Sequence, residues 1–194
     1  VRWACHKGLR VLVSAPSNAA IDNIVEKITS NSSQDGNLRV VRVGVIDRIS
    51  TEAQDVSLDA LVADKVDAWA TEGKAARKVL QDAMSKTKKK EEKTKMRRQI
   101  SKIGREIRRR ETNLKVDVLK EADVVCGTNI SSGDSLLKEL PPFDLVIIDE
   151  AGQATEPSSW VPLLHGKRAI LAGDVQQLAP TIISSEAMGQ GLDI

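Results

Sequence analysis

Aromatic side chains are almost missing from this chain: no Tyr, one Phe and three Trp among 194 residues. A grip on nucleic acid built mainly on base stacking needs a row of rings, so that mode is excluded as the main one. Cysteine is as scarce, with Cys5 and Cys126 alone. Two thiols make no zinc site without histidines at ligand spacing, and neither His6 nor His165 stands at such spacing. Two reduced thiols of an intracellular protein are expected, with a disulfide or a reactive thiol as the alternatives. No apolar run reaches the roughly 20 residues of a membrane-spanning helix. The opening residues lack the charged-then-apolar order of a secretory leader. We therefore expect an intracellular protein, in nucleus or cytoplasm, with no membrane partner. The chain opens on Val1 rather than Met, and we expect it to be a piece of a longer protein.

What is present is a globular composition, 41% hydrophobic and 29% charged. The net charge is only +2, but it is segregated: residues 74–110 hold sixteen Lys and Arg against four acids. A basic segment on an acidic body suits a polyanionic partner. It can equally be a solvated basic helix pair.

Five short apolar runs read as strands: Val11 to Ala15, Val40 to Val43, Asp123 to Cys126, Leu145 to Ile148 and Ala169 to Ala172. Each is continuous rather than alternating, the pattern of a parallel sheet covered on both faces. Asn18 to Thr29 reads as a helix, with Ile21, Ile24, Val25 and Ile28 on one side. Strand, turn and helix in this order imply an α/β domain. Residues 57–121 interrupt it. Three stripes have helical spacing there: Leu58, Leu61, Val62, Val66 and Trp69; Val79, Leu80, Ala83 and Met84; and Met96, Ile100, Ile103, Ile107, Leu114 and Val118. Gly73 and Gly104 are expected to mark joints. The expected organisation is 1–56, an inserted helical subdomain 57–121, and 122–194.

The polar clusters share one address. Pro16-Ser17-Asn18, Gly127-Thr128-Asn129, Asp149-Glu150 and Gly173-Asp174 each follow a presumed parallel strand. The carboxyl edge of such a sheet is where ligands bind. Asp149-Glu150 is an adjacent carboxylate pair, costly to bury unpaired. A hydrated Mg²⁺ with a nucleotide phosphate accounts for it: one carboxylate holds the ion and the other orients the attacking water. A solvent-exposed pair of loop acids is the alternative. Gln177 follows the turn at Gly173 and can bond a phosphate oxygen without adding charge. Ser17 or Asn18 can cap the next helix, or leave its amides to phosphate. Thr128, Ser131 and Ser132 offer neutral hydroxyls.

Taken together, these residues resemble the superfamily 1 helicases of the Upf-one-like group, most of all the immunoglobulin-mu-binding-protein type. DEAGQATEP, Asp149 to Pro157, is similar to motif II of that family, and GDVQQLAPT, Gly173 to Thr181, to motif III. APSNAAIDNIVEKI, Ala15 to Ile28, looks like motif Ia, and GTNISS, Gly127 to Ser132, like motif Ic. The resemblance covers nearly the whole chain. It implies a RecA-like P-loop NTPase sheet, domain 1A, carrying an inserted helical subdomain, 1C. It implies ATP and Mg²⁺ as cofactors, single-stranded DNA or RNA as partner, a monomeric motor and 5′-to-3′ movement. Asp149 would hold Mg²⁺ through water, and Glu150 would activate the attacking water. Gln153 would couple the nucleotide site to nucleic acid, and Asp174 and Gln177 would sense the γ-phosphate. Ser17, Asn18 and Thr128 would touch the single strand.

Two departures stand out. Ala179 replaces the first Pro of the family's QLPP, which loosens that turn. The GxxxxGK[ST] loop that cradles phosphates is nowhere in the chain, since neither Gly73-Lys74 nor Gly166-Lys167 has the upstream Gly or the following Ser/Thr. We therefore expect no ATP hydrolysis from these 194 residues alone. Two other readings stay open from sequence: a chromosome-structural or transporter-type ATPase with a coiled-coil insertion, and a nucleic-acid-binding helical module on an inactive scaffold.

Overall fold

The computed structural model describes residues 1–30, 38–174, 176–180, 182 and 184–190, without the side chains of residues 64 and 67–69. Trp69's side chain, Val175 and Thr181 therefore lie outside the described residues.

The strands are β1 (Val11–Ala15), β2 (Val40–Val43), β3 (Val124–Thr128), β4 (Leu145–Ile148) and β5 (Ala169–Leu171). The helices are α1 (Arg2–His6), α2 (Asn18–Ser30), α3 (Thr51–Gln54), α4 (Leu58–Lys86), α5 (Lys90–Glu121), α6 (Ser135–Lys138), α7 (Glu156–Leu163) and α8 (Ser185–Gly189). The strands form one parallel sheet in the order β2-β3-β1-β4-β5. An α/β fold with a parallel sheet is what the sequence implies. Three strand ends differ from expectation: β3 begins at Val124 and runs on to Thr128, and β5 stops at Leu171.

Successive strand residues point to opposite faces, and this sorts the core into two layers. Leu12, Val41, Val125 and Val146 pack with Leu58, Val62, Val116 and Leu119 from the roots of α4 and α5. Val11, Val13, Val124 and Cys126 pack with Ile21, Val25 and Ile28 of α2 on the other face. Each fully buried Val or Leu contributes about 1.5–3 kcal/mol, so both layers hold the sheet. Two-sided cover is not uniform. β1 and β2 are buried throughout, β4 alternates, and all three residues of β5 are exposed at the sheet edge.

The insertion is two long antiparallel helices rather than three segments. The first two apolar stripes belong to one helix, α4, whose N-terminus is capped by Ser57 Oγ accepting from Ala60 N at 3.2 Å. Gly73 and Gly104 are not joints; both lie inside continuous helix. They permit close approach instead. A Cβ on Gly73 would meet Ile107 Cδ1 at 2.8 Å, and Arg77 lies across Gly104. The reversal falls at Thr87–Lys89, where Thr87 donates to Glu92 Oε2 at 2.8 Å.

Arg10 clamps the far end of α5. It donates to the carbonyls of Leu119 (3.2 Å), Ala122 (3.4 Å) and Pro141 (3.4 Å), and its guanidinium sits 4.8 Å from the Phe143 ring centroid. Orphan carbonyls at a helix C-terminus favour such a cation.

Candidate functional site

Because every strand runs the same way, the residues after β1, β3, β4 and β5 emerge on one edge. Asp149, Glu150, Gln153, Asp174 and Gln177 gather beyond β4 and β5. Glu150 has left-handed backbone angles, φ 52° and ψ 38°. That costs a non-glycine residue about 1–3 kcal/mol and is kept where the surroundings over-determine it. Here the surroundings are the paired turns after β4 and β5. Ala151 N donates to Ala172 O at 2.7 Å. A Cβ on Gly173 would stand 2.6 Å from Gly152 N, and one on Gly152 would stand 3.1 Å from Asp174 O. Only hydrogen at both positions lets the two turns touch.

The side chains follow from this contact. Gln153 Nε2 donates to Glu150 Oε2 at 3.1 Å and to Gln177 Oε1 at 3.4 Å. One amide thus joins the DEAGQ stretch to the GDVQQL stretch. The Asp149 carboxylate has no hydrogen bond or ion pair among the described residues, while its amide donates to Ser14 O at 2.8 Å. Asp174 Oδ1 accepts from Gln176 N at 2.9 Å, so that carboxylate shapes its own turn.

The other half of the edge is a cleft of about 870 Å³ beyond β1, β2 and β3, running down to the roots of α4 and α5. Asn18, Thr128, Ser131, Arg48 and Lys115 line it, with exposed Val45, Ile46 and Ile130 among them. Thr128 Oγ1 is bonded to Ser131 Oγ and accepts from Ser131 N at 3.1 Å. Ser17 lies beside the cleft and caps α2, its Oγ accepting from Ala20 N at 3.1 Å. Its hydroxyl hydrogen stays free to donate.

Three polar residues in the interior order this half; two of them, Arg42 and Asp22, were unforeseen from sequence, and Asn129 was expected only as part of a polar cluster at the sheet edge. Arg42 is wholly buried in β2. It donates to Asp22 Oδ1 at 2.7 Å, to Asn18 Oδ1 at 2.9 Å and to the Val43 carbonyl. Asp22 Oδ2 accepts from Ser50 N at 2.8 Å. The guanidinium thereby takes the oxygen of Asn18 and leaves its amide NH₂ as the available donor. A charge inside the apolar run VVRV, and an acid on the apolar side of α2, were the sequence signals. The third is buried Asn129, whose Oδ1 accepts from Ser14 Oγ at 2.6 Å while its own Nδ2 has no partner. Ser14 thus touches the cleft side through Asn129 and the Asp149 side through its carbonyl.

Among the described residues no three His, Cys, Asp or Glu converge as a metal cage. A lone unpaired carboxylate suits a cation that keeps its water and takes oxygens from a nucleotide, the habit of Mg²⁺. Both cysteines are free; burial pushes the Cys126 thiol up to about 12 and raises that of Cys5. No helix among the described residues is long and apolar enough to cross a membrane.

Comparison with known proteins agrees with the geometry. A family described as AAA domain matches residues 3–185. DNA-binding protein SMUBP-2 of Mesocricetus auratus is 40% identical over 97% of this chain, which spans 19% of that protein. ATP-dependent helicase NAM7 of Saccharomyces cerevisiae is 33% identical over 94% of the chain and 17% of its own length. This chain belongs to the superfamily 1 helicases, through their AAA domain. DNA polymerase alpha-associated DNA helicase A of Schizosaccharomyces pombe is a further relative, 34% identical over 90% of this chain and 26% of its length. The superfamily 1 chain therefore spans about a sixth to a quarter of these three relatives.

Proposed function

We propose that this chain is part of the motor of an ATP-dependent helicase that moves 5′ to 3′ on single-stranded DNA or RNA as a monomer. The observation that carries the reading is the Gln153 amide shared between Glu150 and Gln177. It puts a carboxylate, a coupling amide and a second amide in one hydrogen-bonded unit at the ligand edge. Mg²⁺–ATP, when bound, supplies the γ-phosphoryl group and the charge that neutralises its transfer. Asp149, unpaired, would hold the hydrated ion. Glu150 accepts the proton of the attacking water, with Gln153 fixing its carboxylate. Gln177 and Asp174 read the γ-phosphate: Gln177 accepts from Gln153 through Oε1 and keeps its Nε2 to donate to a phosphate oxygen. That shared amide carries the state of the nucleotide to the turn after β4. Asn18 and Thr128 in the cleft, with Ser17 beside it, donate to the backbone of the single strand. Val45, Ile46 and Ile130 give its bases an apolar surface. Ser14, bonded towards both halves, links them through β1.

The domain division at 57 and 121 suits this arrangement, since the long helices start and end there. The test is Glu150→Gln in the full-length parent protein. Losing a general base costs about 10²–10⁴-fold in rate. Hydrolysis should fall by that factor while binding of a fluorescent ATP analogue stays within twofold. Loss of binding instead would remove Glu150 from the assigned role.

A further inference from the structure

The helical insertion carries more positive charge than its own packing needs. Its core contacts end at Val66 and Leu114. Beyond them, among the described side chains, only Ala70 and Gly104 are buried. From Val66 to Lys86 the helix runs about 30 Å at 1.5 Å per residue. This distal arm has its own apolar seam, Met96, Ile100, Ile103 and Ile107. The opposite face of α5 has a second seam, equally regular, made of cations: Lys95, Arg98, Lys102, Arg105 and Arg109. Their spacing is three and four in alternation, which keeps them on one side over about 21 Å. All five are exposed, and none is in an ion pair among the described residues. Of the nearby acids, Glu92 is taken by Thr87 and Lys89 and Glu106 by Arg110, while exposed Glu91, four residues before Lys95, is the single acid in line with the five and pairs with none of them. A helix face that only needs solubility alternates its signs; this one does not.

We propose that this face of the arm binds the phosphate backbone of duplex nucleic acid lying beside the single-strand cleft. The inference rests on the cleft reading above for its location. Two contrasts select a duplex. A duplex hides its bases and shows phosphates, so it asks for cations and no rings. No aromatic residue occurs from 70 to 142, and Val79 is the one large apolar side chain exposed on the described arm beyond residue 70. The cleft, by contrast, joins hydroxyls to exposed Val45, Ile46 and Ile130, a surface for unstacked bases. The cleft reaches the arm's root at Asp59 and Lys115, which are paired at 2.6 Å. A junction of single and double strand would thus meet both surfaces in turn.

The test uses the full-length parent, with all five seam residues changed to Gln. Binding of a blunt duplex, a single strand and a tailed junction is followed by fluorescence anisotropy between 50 and 200 mM salt. Each phosphate contact contributes about 0.9 to the slope of log K against log salt. The variant's duplex slope should fall by about 4.5 and its duplex affinity by more than tenfold. Single-strand affinity and strand-stimulated hydrolysis should stay within twofold. A companion variant with Arg98, Arg105 and Arg109 changed to Lys keeps the charge and should keep the duplex slope. Unchanged duplex affinity and slope in the five-site variant overturn the proposal. So does loss of polyglutamate binding with duplex binding retained, which would make the partner an acidic protein. Thr128→Ala separates the two readings: if it leaves single-strand binding intact, the cleft reading fails while the duplex result still stands.

Discussion

The buried pair Arg42–Asp22 gives the sharpest forecast of stability. Asp22→Asn keeps the shape and keeps an acceptor for Ser50 N, but it leaves the guanidinium uncompensated. Arg42 is 0% exposed and Asp22 7%, so water cannot take over. Removing one partner of a buried pair costs about 3–5 kcal/mol. Arg42→Met should cost a similar amount, because the carboxylate then keeps only the Ser50 amide. The two losses overlap. In the double variant no uncompensated charge remains, so the sum should fall short of additivity by several kcal/mol. Urea unfolding of the four proteins by circular dichroism measures this. For a chain of this size, 3–5 kcal/mol is also a fall in Tm of about 6–20 °C. Added salt should change the effect little, since the pair lies beyond screening. Single-variant losses below about 1 kcal/mol, or strict additivity, would refute the assignment of Arg42 as a paired buried charge. A functional trace should accompany the loss. Asn18 gives up its anchor, so single-strand affinity should fall even under conditions where the Arg42→Met protein is folded.

Gly173→Ala should be harmful far beyond its size, because the new methyl would overlap backbone at Gly152 and Ala151. Overpacking of this kind costs about 1–3 kcal/mol, and the displaced turn should lower ATP hydrolysis by the parent protein at least tenfold; wild-type turnover would refute the contact. Alkylation with iodoacetamide at pH 8, read by mass spectrometry, should spare Cys126 in the folded chain, because its buried thiol stays protonated up to about 12. Half-buried Cys5 should react slowly, and both should react in urea; rapid native modification of Cys126 would show that β3 opens.

Parallel strands were legible because each apolar run is continuous and ends in a polar cluster. The carboxyl edge followed from that alone, and with it the common address of Asp149, Gln177 and Asn18. Glycine misled in the insertion. Gly73 and Gly104 break no helix because α4 and α5 need the room, whereas the reversal at Thr87–Lys89 has neither Gly nor Pro to announce it. Continuous hydrophobicity also overstated the cover of β5, whose chain of Ala, Ile and Leu is exposed. The interior charges were invisible for a different reason. Arg42 and Asp22 are twenty residues apart in sequence, and only the crossover from α2 to β2 brings them together. Asp174 shows the same limit at short range: its carboxylate binds Gln176 N, a local turn that motif similarity does not describe.

The Arg10 clamp bears on how mechanical work could pass through this chain. One guanidinium gathers carbonyls from the close of α5 and from the loop before β4, while its own backbone leads directly into β1. A pull on the distal helices would therefore not be absorbed by a swivel at Ala122; it would arrive at the central strand. Ser14 in that strand already holds the amide of Asp149. If the chain grips a duplex and a triphosphate as proposed, tension on the one and hold on the other would share a single taut line, from Arg10 to Ser14 four residues further on.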